Sequence, residues 1–293
     1  MAMVSKKATI LDVILVIIIT FCSAIFLYPM IVTLATSLSD SKVLLSRTVY
    51  FIPYGFTLDS YHLVLNGTHI FRYYYNTISY ALIGTLNMLA CTSMMAYPLT
   101  FHDFRGKRLV SIILLITMFF GGGLVPSYLN IMKMGLLDTF AVMVIPGAIS
   151  AYNVFLFRTF FKSIPDSLRE SAYIDGAGHF RVLLLIILPL SKALLATFSL
   201  FSIVGYWNDY LTAVIYLKST DKQPIQMFLR KLLILVEISN SIDNYDLMRT
   251  LRTISTRTIQ SAAIIVTVVP VLCVYPFLQK YFVKGIFVGS IKG

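Results

Sequence analysis

Charged residues are scarce in this sequence. Only 13% of its 293 residues are Asp, Glu, Lys or Arg, whereas 58% are hydrophobic, and the mean hydropathy is +0.82. A soluble globular domain carries roughly twice that charged fraction. The composition excludes an ordinary soluble domain and favours a single membrane domain over residues 1–293, solvated mainly by lipid.

Cysteine and histidine are also few. Cys22, Cys91 and Cys273 each lie inside an apolar run, and none is spaced for pairing with another cysteine or a histidine. The four histidines are scattered over loops. We therefore expect neither a disulfide framework nor a metal site.

Motifs of nucleotide binding and hydrolysis are missing. The chain has no G-x-x-x-x-G-K-[ST] phosphate loop and no HExxH, CxxC or GxSxG sequence. This excludes ATP hydrolysis through such a loop and gives no catalytic constellation for an intramembrane enzyme. The apolar segments are nearly free of the buried charges on which ion-coupled carriers rely, so active transport would take its energy from another polypeptide. A secondary transporter or channel for a small polar solute stays open, because backbone oxygens can coordinate sodium.

The net charge of +11 comes from 24 Lys and Arg against 13 Asp and Glu. These cations lie mostly in short loops and not in the stripe typical of nucleic-acid binding. They indicate contact with anionic membrane lipid and give no reason to expect a nucleic-acid partner.

Six apolar segments reach the ~20 residues that a helix needs to cross a bilayer. They are residues 10–35, 76–99, 109–128, 139–161, 182–206 and 258–280. The first is too long for the core of a signal peptide, so we expect it to be uncleaved. Gly121–Gly123 should end or break the third helix, and Pro189 should kink the fifth. The expected fold class is an all-α integral membrane protein with six transmembrane helices.

Basic residues give the orientation. Arg105, Lys107 and Arg108 fill one short loop, and four further cations lie in residues 158–181. The positive-inside rule places these loops and both termini in the cytoplasm. In the long loop after the fifth span, QMFLRKLLILVE is too short and too charged to cross, which is typical of an interfacial or partner-facing helix.

Residues 163–181 form the loop between the fourth and fifth spans. Ser163 can cap a helix with Pro165 in its first turn, and Asp175-Gly176 is a stop signal. An ordinary capped cytoplasmic loop explains this pattern as well as a docking element does.

The residue order adds information. Glu170-Ser171-Ala172, Gly176, Ile186 and Leu188-Pro189 match E-A-A-x3-G-x9-I-x-L-P, with serine in place of the first alanine. The stretch resembles the EAA loop in the membrane subunits of bacterial ATP-binding-cassette (ABC) importers. That resemblance implies a type I importer permease whose coupling helix docks in a cleft of the ATPase. Glu170 would face basic groups, Ser171 and Ala172 would pack in the cleft, Gly176 would form the turn, and Asp175 and Ala177 would complete the docking loop.

Other stretches resemble the carbohydrate-uptake, or maltose-type, permeases. These are IDGA at 174–177, FSIVGYWNDYLTAVIYL and the terminal KGIFVGSIKG. GGGLVPSYLNIMKMGLLDTF and QPIQMFLRKLLI resemble the Gram-positive subfamily for polygalacturonan- and rhamnogalacturonan-derived oligosaccharides. The resemblance implies a second homologous permease, a dimeric ATPase that uses ATP and Mg, and an extracellular solute-binding lipoprotein. This subunit would be non-catalytic, bind no cofactor and lie in a bacterial cytoplasmic membrane; a permease for a non-sugar substrate is the nearest alternative.

A sugar path requires hydrogen-bonding groups and aromatic faces inside the bundle. The candidates are Asn87, Tyr152, Asn153, Tyr206, Trp207 and Asn208. For Trp207, anchoring in the interfacial aromatic belt is favoured over sugar stacking. Asn87 has the alternative of bonding across a helix interface. Tyr152 and Asn153 are adjacent and should face different sides of a helix.

Overall fold

A computed structural model describes residues 10–44, 48–66, 69–241 and 257–273. These residues form helices, turns and one isolated bridge between Ser39 and Phe56, and no strand occurs among them. The all-α prediction is confirmed. The helices are α1 (Ile10–Ser37), α2 (Ser41–Leu44), α3 (Asp59–Asn66), α4 (Ile70–Ala96), α5 (Lys107–Phe119), α6 (Leu124–Lys133), α7 (Phe140–Val144), α8 (Ala151–Lys162), α9 (Asp166–Ile174), α10 (His179–Val182), α11 (Leu188–Leu190), α12 (Lys192–Asn208), α13 (Leu211–Tyr216), α14 (Ile225–Ser241) and α15 (Arg257–Cys273).

Two of these helices are long and apolar enough to cross a membrane by themselves. They are α1 and α4, the latter continued by a 3-10 turn to Thr100. Within α1 only Ala35 and Ser37, near its end, are buried, so nearly its whole apolar surface is exposed. A helix that is hydrophobic all round and unburied in its own chain is suited to lipid or to another membrane helix.

The third and fifth predicted spans are bent. Helices α5 and α6 meet at 119° across Gly121–Gly123, where Gly123 has φ 79°, so the expected break is confirmed. The fifth span runs through α10, a π turn at Leu183–Ile187 and α11, and then turns by 82° into α12. Pro189, which has no N–H for the helix ladder, lies two residues before the break at Ser191, and the bend confirms the expected kink. Lys192, near the middle of the predicted span, is exposed at the break.

The fourth predicted span is not continuous, contrary to expectation. Helix α7 ends at Val144 and α8 begins at Ala151, with Pro146 and Gly147 in the turn between them. Proline cannot donate to the helix ladder and glycine is a weak helix former, so this pair interrupts the helix. Residues 274–280 of the sixth predicted span lie outside the described residues. Both termini also lie outside them, so their expected cytoplasmic location stays a prediction.

The described part of the chain groups into two compact units. The first lies within Met1–His69 and Leu229–Val269, and the second within Ile70–Phe228 and Pro270–Gly293. In the first, Ser41 of α2 hydrogen-bonds Thr258 of α15. Ser37, at the end of α1, bonds the Tyr61 hydroxyl of α3.

Aromatic side chains of α8 fill the core of the second unit. Phe157 and Phe161 are fully buried, and Phe157 meets the ring of Phe198 from α12 edge-on at 4.9 Å. Such ring pairs contribute about 0.5–1.5 kcal/mol beyond the area that they bury. Helix α4 packs along both α8 and α12, so it is the central helix of this unit.

Candidate functional site

A cavity of about 1110 Å³ opens within the second unit. Its wall is formed by α4, α6, α7, α8 and α12 together with the turn at Pro146–Gly147. The interruption between α7 and α8 therefore contributes part of the wall. Met88 of α4, Asn130 of α6 and Asp209 after α12 also line it, although no pattern in the sequence marked them.

Four of the six expected path residues line this cavity: Tyr152, Asn153, Tyr206 and Asn208. Tyr152 and Asn153 were expected on different sides of a helix. Both line the cavity here, because they lie in the first turn of α8, directly after the broken segment that forms the wall. Amide, hydroxyl and aromatic groups thus share one chamber that is large enough for a sugar ligand.

The other two expected path residues do not line the cavity. The Asn87 amide donates to the Val144 carbonyl at 3.3 Å and so ties α4 to the end of α7. This is the bond across a helix interface that the sequence offered as the alternative role of Asn87. Trp207 is 8% exposed and its ring lies 6.2 Å from that of Tyr74. It is buried within its unit and does not have the exposure of an aromatic-belt anchor.

Tyr206 occupies a slot between two glycines. Its hydroxyl lies 3.6 Å from the position of a Cβ added at Gly147, and a Cβ at Gly84 would overlap its ring. Glycine at these two positions permits the close approach of α4, α12 and the 145–150 turn. The slot fixes the ring of Tyr206 at the cavity wall.

Residues 217–225 form a strap that is hydrogen-bonded to α4. The Asn76 amide donates to the carbonyls of Asp221 and Gln223 at 2.7 and 3.0 Å. Tyr80 donates to the carbonyl of Lys222, and the N–H of Ile225 donates to the Thr77 hydroxyl. Side chains in the first turns of α4 therefore hold the strap by hydrogen bonds to the strap's backbone groups.

Asp138 fixes the start of this strap. Its carboxylate accepts the N–H groups of Lys218 and Ser219 at 3.1 and 3.0 Å, the Ser219 hydroxyl, and the Lys222 ammonium at 3.3 Å. The Ser219 hydroxyl and then its N–H hold the pKa of Asp138 well below its usual value, against a smaller opposing effect of desolvation. Asp138 has φ 56°, a left-handed conformation that aspartate tolerates better than most residues. Sequence reading missed this clasp because its partners lie 80 residues away.

Helix α9 and its glycine turn occupy the loop for which the sequence predicts a docking role. The chain leaves α9 through Asp175 and Gly176, which has φ 79°. The N–H of Ala177 bonds the Ala172 carbonyl at 2.9 Å and that of Gly176 bonds the Tyr173 carbonyl at 3.0 Å. This is a Schellman ending, in which only glycine adopts the required turn without strain. The predicted stop at Gly176 is confirmed.

The start of α9 differs from expectation. Ser163 does not cap it: Ser163 ends α8, and its hydroxyl donates to the Phe160 carbonyl. Pro165 occupies the cap position, and α9 begins at Asp166. The two-residue link through the buried Ile164 is too short for Ser163 to serve the second helix.

The expected docking residues divide between two faces of α9. Glu170, Ser171, Asp175 and Gly176 are exposed, together with Leu168 and Ile174. Ala172 and Ala177 are half-buried against the core cluster of α8 and α10. Ala172 was expected to pack in the cleft of the ATPase, but in this chain it packs against the core. Arg169 is 6% exposed and faces the same core.

Metal-binding groups do not cluster in the part of the chain that the structure describes. No three His, Cys, Asp or Glu side chains lie close enough there to hold an ion.

This chain is similar to membrane components of transport systems. Residues 88–288, more than half of the chain, match the family model "Binding-protein-dependent transport system inner membrane component". The Bacillus subtilis protein LplC is 36% identical over 99% of this chain and 97% of its own. The polygalacturonan/rhamnogalacturonan transport system permease protein YtcP of the same organism is 37% identical over 90% of this chain and 92% of its own. A chain from the crystal structure of a bacterial ABC transporter for the acidic polysaccharide alginate has a TM-score of 0.85 and 31% identity, covering 96% of this chain and 100% of its own.

Proposed function

Because this chain belongs to the family of binding-protein-dependent transport system inner membrane components, we propose that it is one of two permease subunits of an oligosaccharide importer. A member of this family is a permease of the cytoplasmic membrane and not an enzyme. The ATP that drives an ABC importer is hydrolysed on a separate ATPase chain. The secondary-transporter alternative is set aside, because the family match covers the docking loop and the cavity together.

The observation that carries the coupling role is the exposed face of α9 followed by the left-handed turn at Gly176. Glu170 and Ser171 project from this face, next to the apolar side chain of Ile174, which is 86% exposed. An apolar side chain with a flanking acid is suited to a partner's cleft lined by basic groups. The ATPase docks here, with Glu170, Ser171, Asp175 and Gly176 at its surface.

The substrate class follows from the cavity and the relatives. Tyr152, Asn153, Tyr206 and Asn208 offer aromatic faces and amide groups, the chemistry that binds sugar rings and hydroxyls. YtcP is named for polygalacturonan and rhamnogalacturonan, which supports pectin-derived oligosaccharides for this chain. These four residues form this subunit's part of the sugar path.

The assembly contains further chains. A second homologous permease completes the path, a dimeric ATPase uses ATP and Mg, and an extracellular lipoprotein delivers the sugar. Both compact units belong to one transmembrane permease domain, with α9 and both termini in the cytoplasm of a Gram-positive bacterium. The strap at the opposite end of α4 then faces outward.

Co-purification tests the docking role. The permease pair and its ATPase are purified together, and Glu170→Ala and Gly176→Val are compared with Asp103→Asn, an exposed acid in another basic loop. We expect both test variants to lose bound ATPase and sugar uptake, and Asp103→Asn to retain both. Full retention of ATPase and uptake in Glu170→Ala and Gly176→Val would contradict the proposal.

Binding measurements test the substrate class. The partner lipoprotein is titrated with neutral and acidic plant-wall oligosaccharides and with non-sugar osmolytes. Binding of the acidic pectin fragments is expected. Binding of an osmolyte alone would instead support the non-sugar permease.

A further inference from the structure

Arg169 is the buried member of an otherwise exposed helix segment. Its side chain is 7% exposed, whereas its neighbours Leu168 and Glu170 are exposed. Arginine is rarely buried unless it is paired, because a cation loses its hydration inside a protein. Its burial therefore indicates an interaction that holds α9 in one position.

The guanidinium of Arg169 has three partners. Nη1 donates to the Thr100 hydroxyl at 3.0 Å, and Nη2 donates to the Asp166 carboxylate one turn earlier. The guanidinium carbon lies 5.5 Å from the centre of the Phe101 ring, in cation–π geometry. Thr100 donates its own proton to the Tyr97 carbonyl, so its oxygen is free to accept from Arg169.

A second tie lies one turn further along α9. The Tyr173 hydroxyl lies 3.1 Å from the Tyr97 hydroxyl and 2.8 Å from Nδ1 of His179. The His179 ring meets Phe101 edge-on at 5.2 Å. Residues 169 and 173 are four apart and share a helix face. Both therefore contact the same short segment, Tyr97–Phe101, at the end of α4.

Helix α4 continues from this segment to the cavity and the strap. Met88 lines the cavity, Gly84 receives Tyr206, and Asn76 holds the strap. The 27 residues of α4 extend about 40 Å at 1.5 Å per residue. One rigid element thus connects the buried face of α9 with the opposite end of the unit.

We propose that Arg169 is a positioning residue that clamps α9 to α4, so that ATPase-driven movement of α9 reaches the cavity through Thr100 and Phe101. This inference rests on the proposed function, in which α9 receives the ATPase. The chain itself joins α9 directly to α8 and to the α10–α12 segment. The clamp adds α4 as a third route, and it acts from the face of α9 opposite to the docking surface.

The test uses the complete transporter in proteoliposomes. Arg169→Met removes the donors at similar volume, and Thr100→Val removes the acceptor without changing shape. Arg105→Met, an exposed arginine in the 101–108 loop, is the matched control. Three quantities are measured: ATPase retained by the permease, binding-protein-stimulated ATP hydrolysis, and sugar taken up per ATP hydrolysed.

We expect Arg169→Met and Thr100→Val to retain the ATPase but to lose uptake per ATP by about 5- to 150-fold, the usual range of coupling between sites. The double variant should be no worse than Arg169→Met alone, because Thr100 contributes to the clamp through its hydrogen bond to Arg169. A merely structural role would lower all three quantities together with the amount of folded protein.

Two results would overturn the clamp. One is an uptake-to-hydrolysis ratio equal to that of Arg105→Met. The other is loss of ATPase retention in proportion to uptake, which would make Arg169 a docking residue. A wild-type transporter that hydrolyses ATP without moving oligosaccharide would overturn the substrate assignment alone. The same uptake-to-hydrolysis ratio, measured with the solute that the wild type does transport, then tests the clamp.

Discussion

The contact between Gly84 and Tyr206 offers a quantitative test of how α4 and α12 form the cavity wall. A Cβ added at Gly84 would lie 2.5 Å from both Cε2 and the hydroxyl oxygen of Tyr206, well inside van der Waals contact. Such overpacking typically costs about 1–3 kcal/mol. Alanine in a helix interior regains roughly 0.5–1 kcal/mol over glycine. Gly84→Ala should therefore be destabilised by up to about 2.5 kcal/mol, or should displace the Tyr206 ring into the cavity.

Gly205→Ala provides the matched control. Gly205 lies in α12 next to Tyr206, and an added Cβ there meets nothing within 4 Å. Its variant gains helix propensity without a clash, so the two glycine variants should differ by about 1–3 kcal/mol. In a Tyr206→Ala background the Gly84→Ala penalty should largely disappear, because the ring that it strikes is gone.

Thermal unfolding of the purified transporter measures this difference, with about 2–4 °C expected for each kcal/mol in a chain of this size class. Sugar uptake is measured in parallel, since a displaced Tyr206 should block the proposed sugar path even where stability is kept. Equal melting temperature and uptake for Gly84→Ala, Gly205→Ala and wild type would refute the close contact.

Further predictions concern the two ends of α4 and the docking turn. Asp138→Asn keeps a side chain that tolerates φ 56° but loses the negative charge. Because folding lowers the pKa of Asp138, the stability that its carboxylate contributes is fully present above the ordinary pKa near ~3.9. That stability is lost as the pH falls through the lower pKa of the folded state. Thermal melts should show wild type above Asp138→Asn at neutral pH and converging with it below about pH 4, and a constant gap would refute the clasp. Asn76→Ala leaves two strap carbonyls without their donor and should cost about 1–3 kcal/mol in the same melts, whereas an unchanged melting temperature would exclude the strap contact. Gly176→Ala should reduce ATPase retention because φ 79° is strained for alanine, while Gly178→Ala, where φ is −75°, should not; equal retention would show that the turn is dispensable.

Local signals made several features of this fold predictable. The stop at Gly176 and the break at Gly121–Gly123 follow from the backbone freedom of glycine, and the bend after Pro189 follows from its missing N–H. Each depends on residues adjacent in sequence. The same kind of signal was present at Pro146-Gly147 but was outweighed by the hydrophobic run around it, so one continuous span was predicted there.

Contacts between distant residues were not predictable from periodicity. Asp138 meets Ser219 and Asn76 meets Asp221 across 81 and 145 residues, and no local pattern marks these partners. Arg169 illustrates a second limit. Helical spacing defines the faces of α9 but not which face meets the bundle, and arginine is ordinarily assigned to the exposed one.

Dependence of uptake on ATP tests the central claim most directly. Proteoliposomes containing this permease, its partner permease and the ATPase are loaded with ATP, supplied outside with the binding protein and labelled oligosaccharide, and treated with ionophores that remove every ion gradient. Uptake should persist with internal ATP and stop when ATP is replaced by a non-hydrolysable analogue. Uptake that stops with the ionophores, or continues without ATP hydrolysis, would contradict an ATP-driven importer.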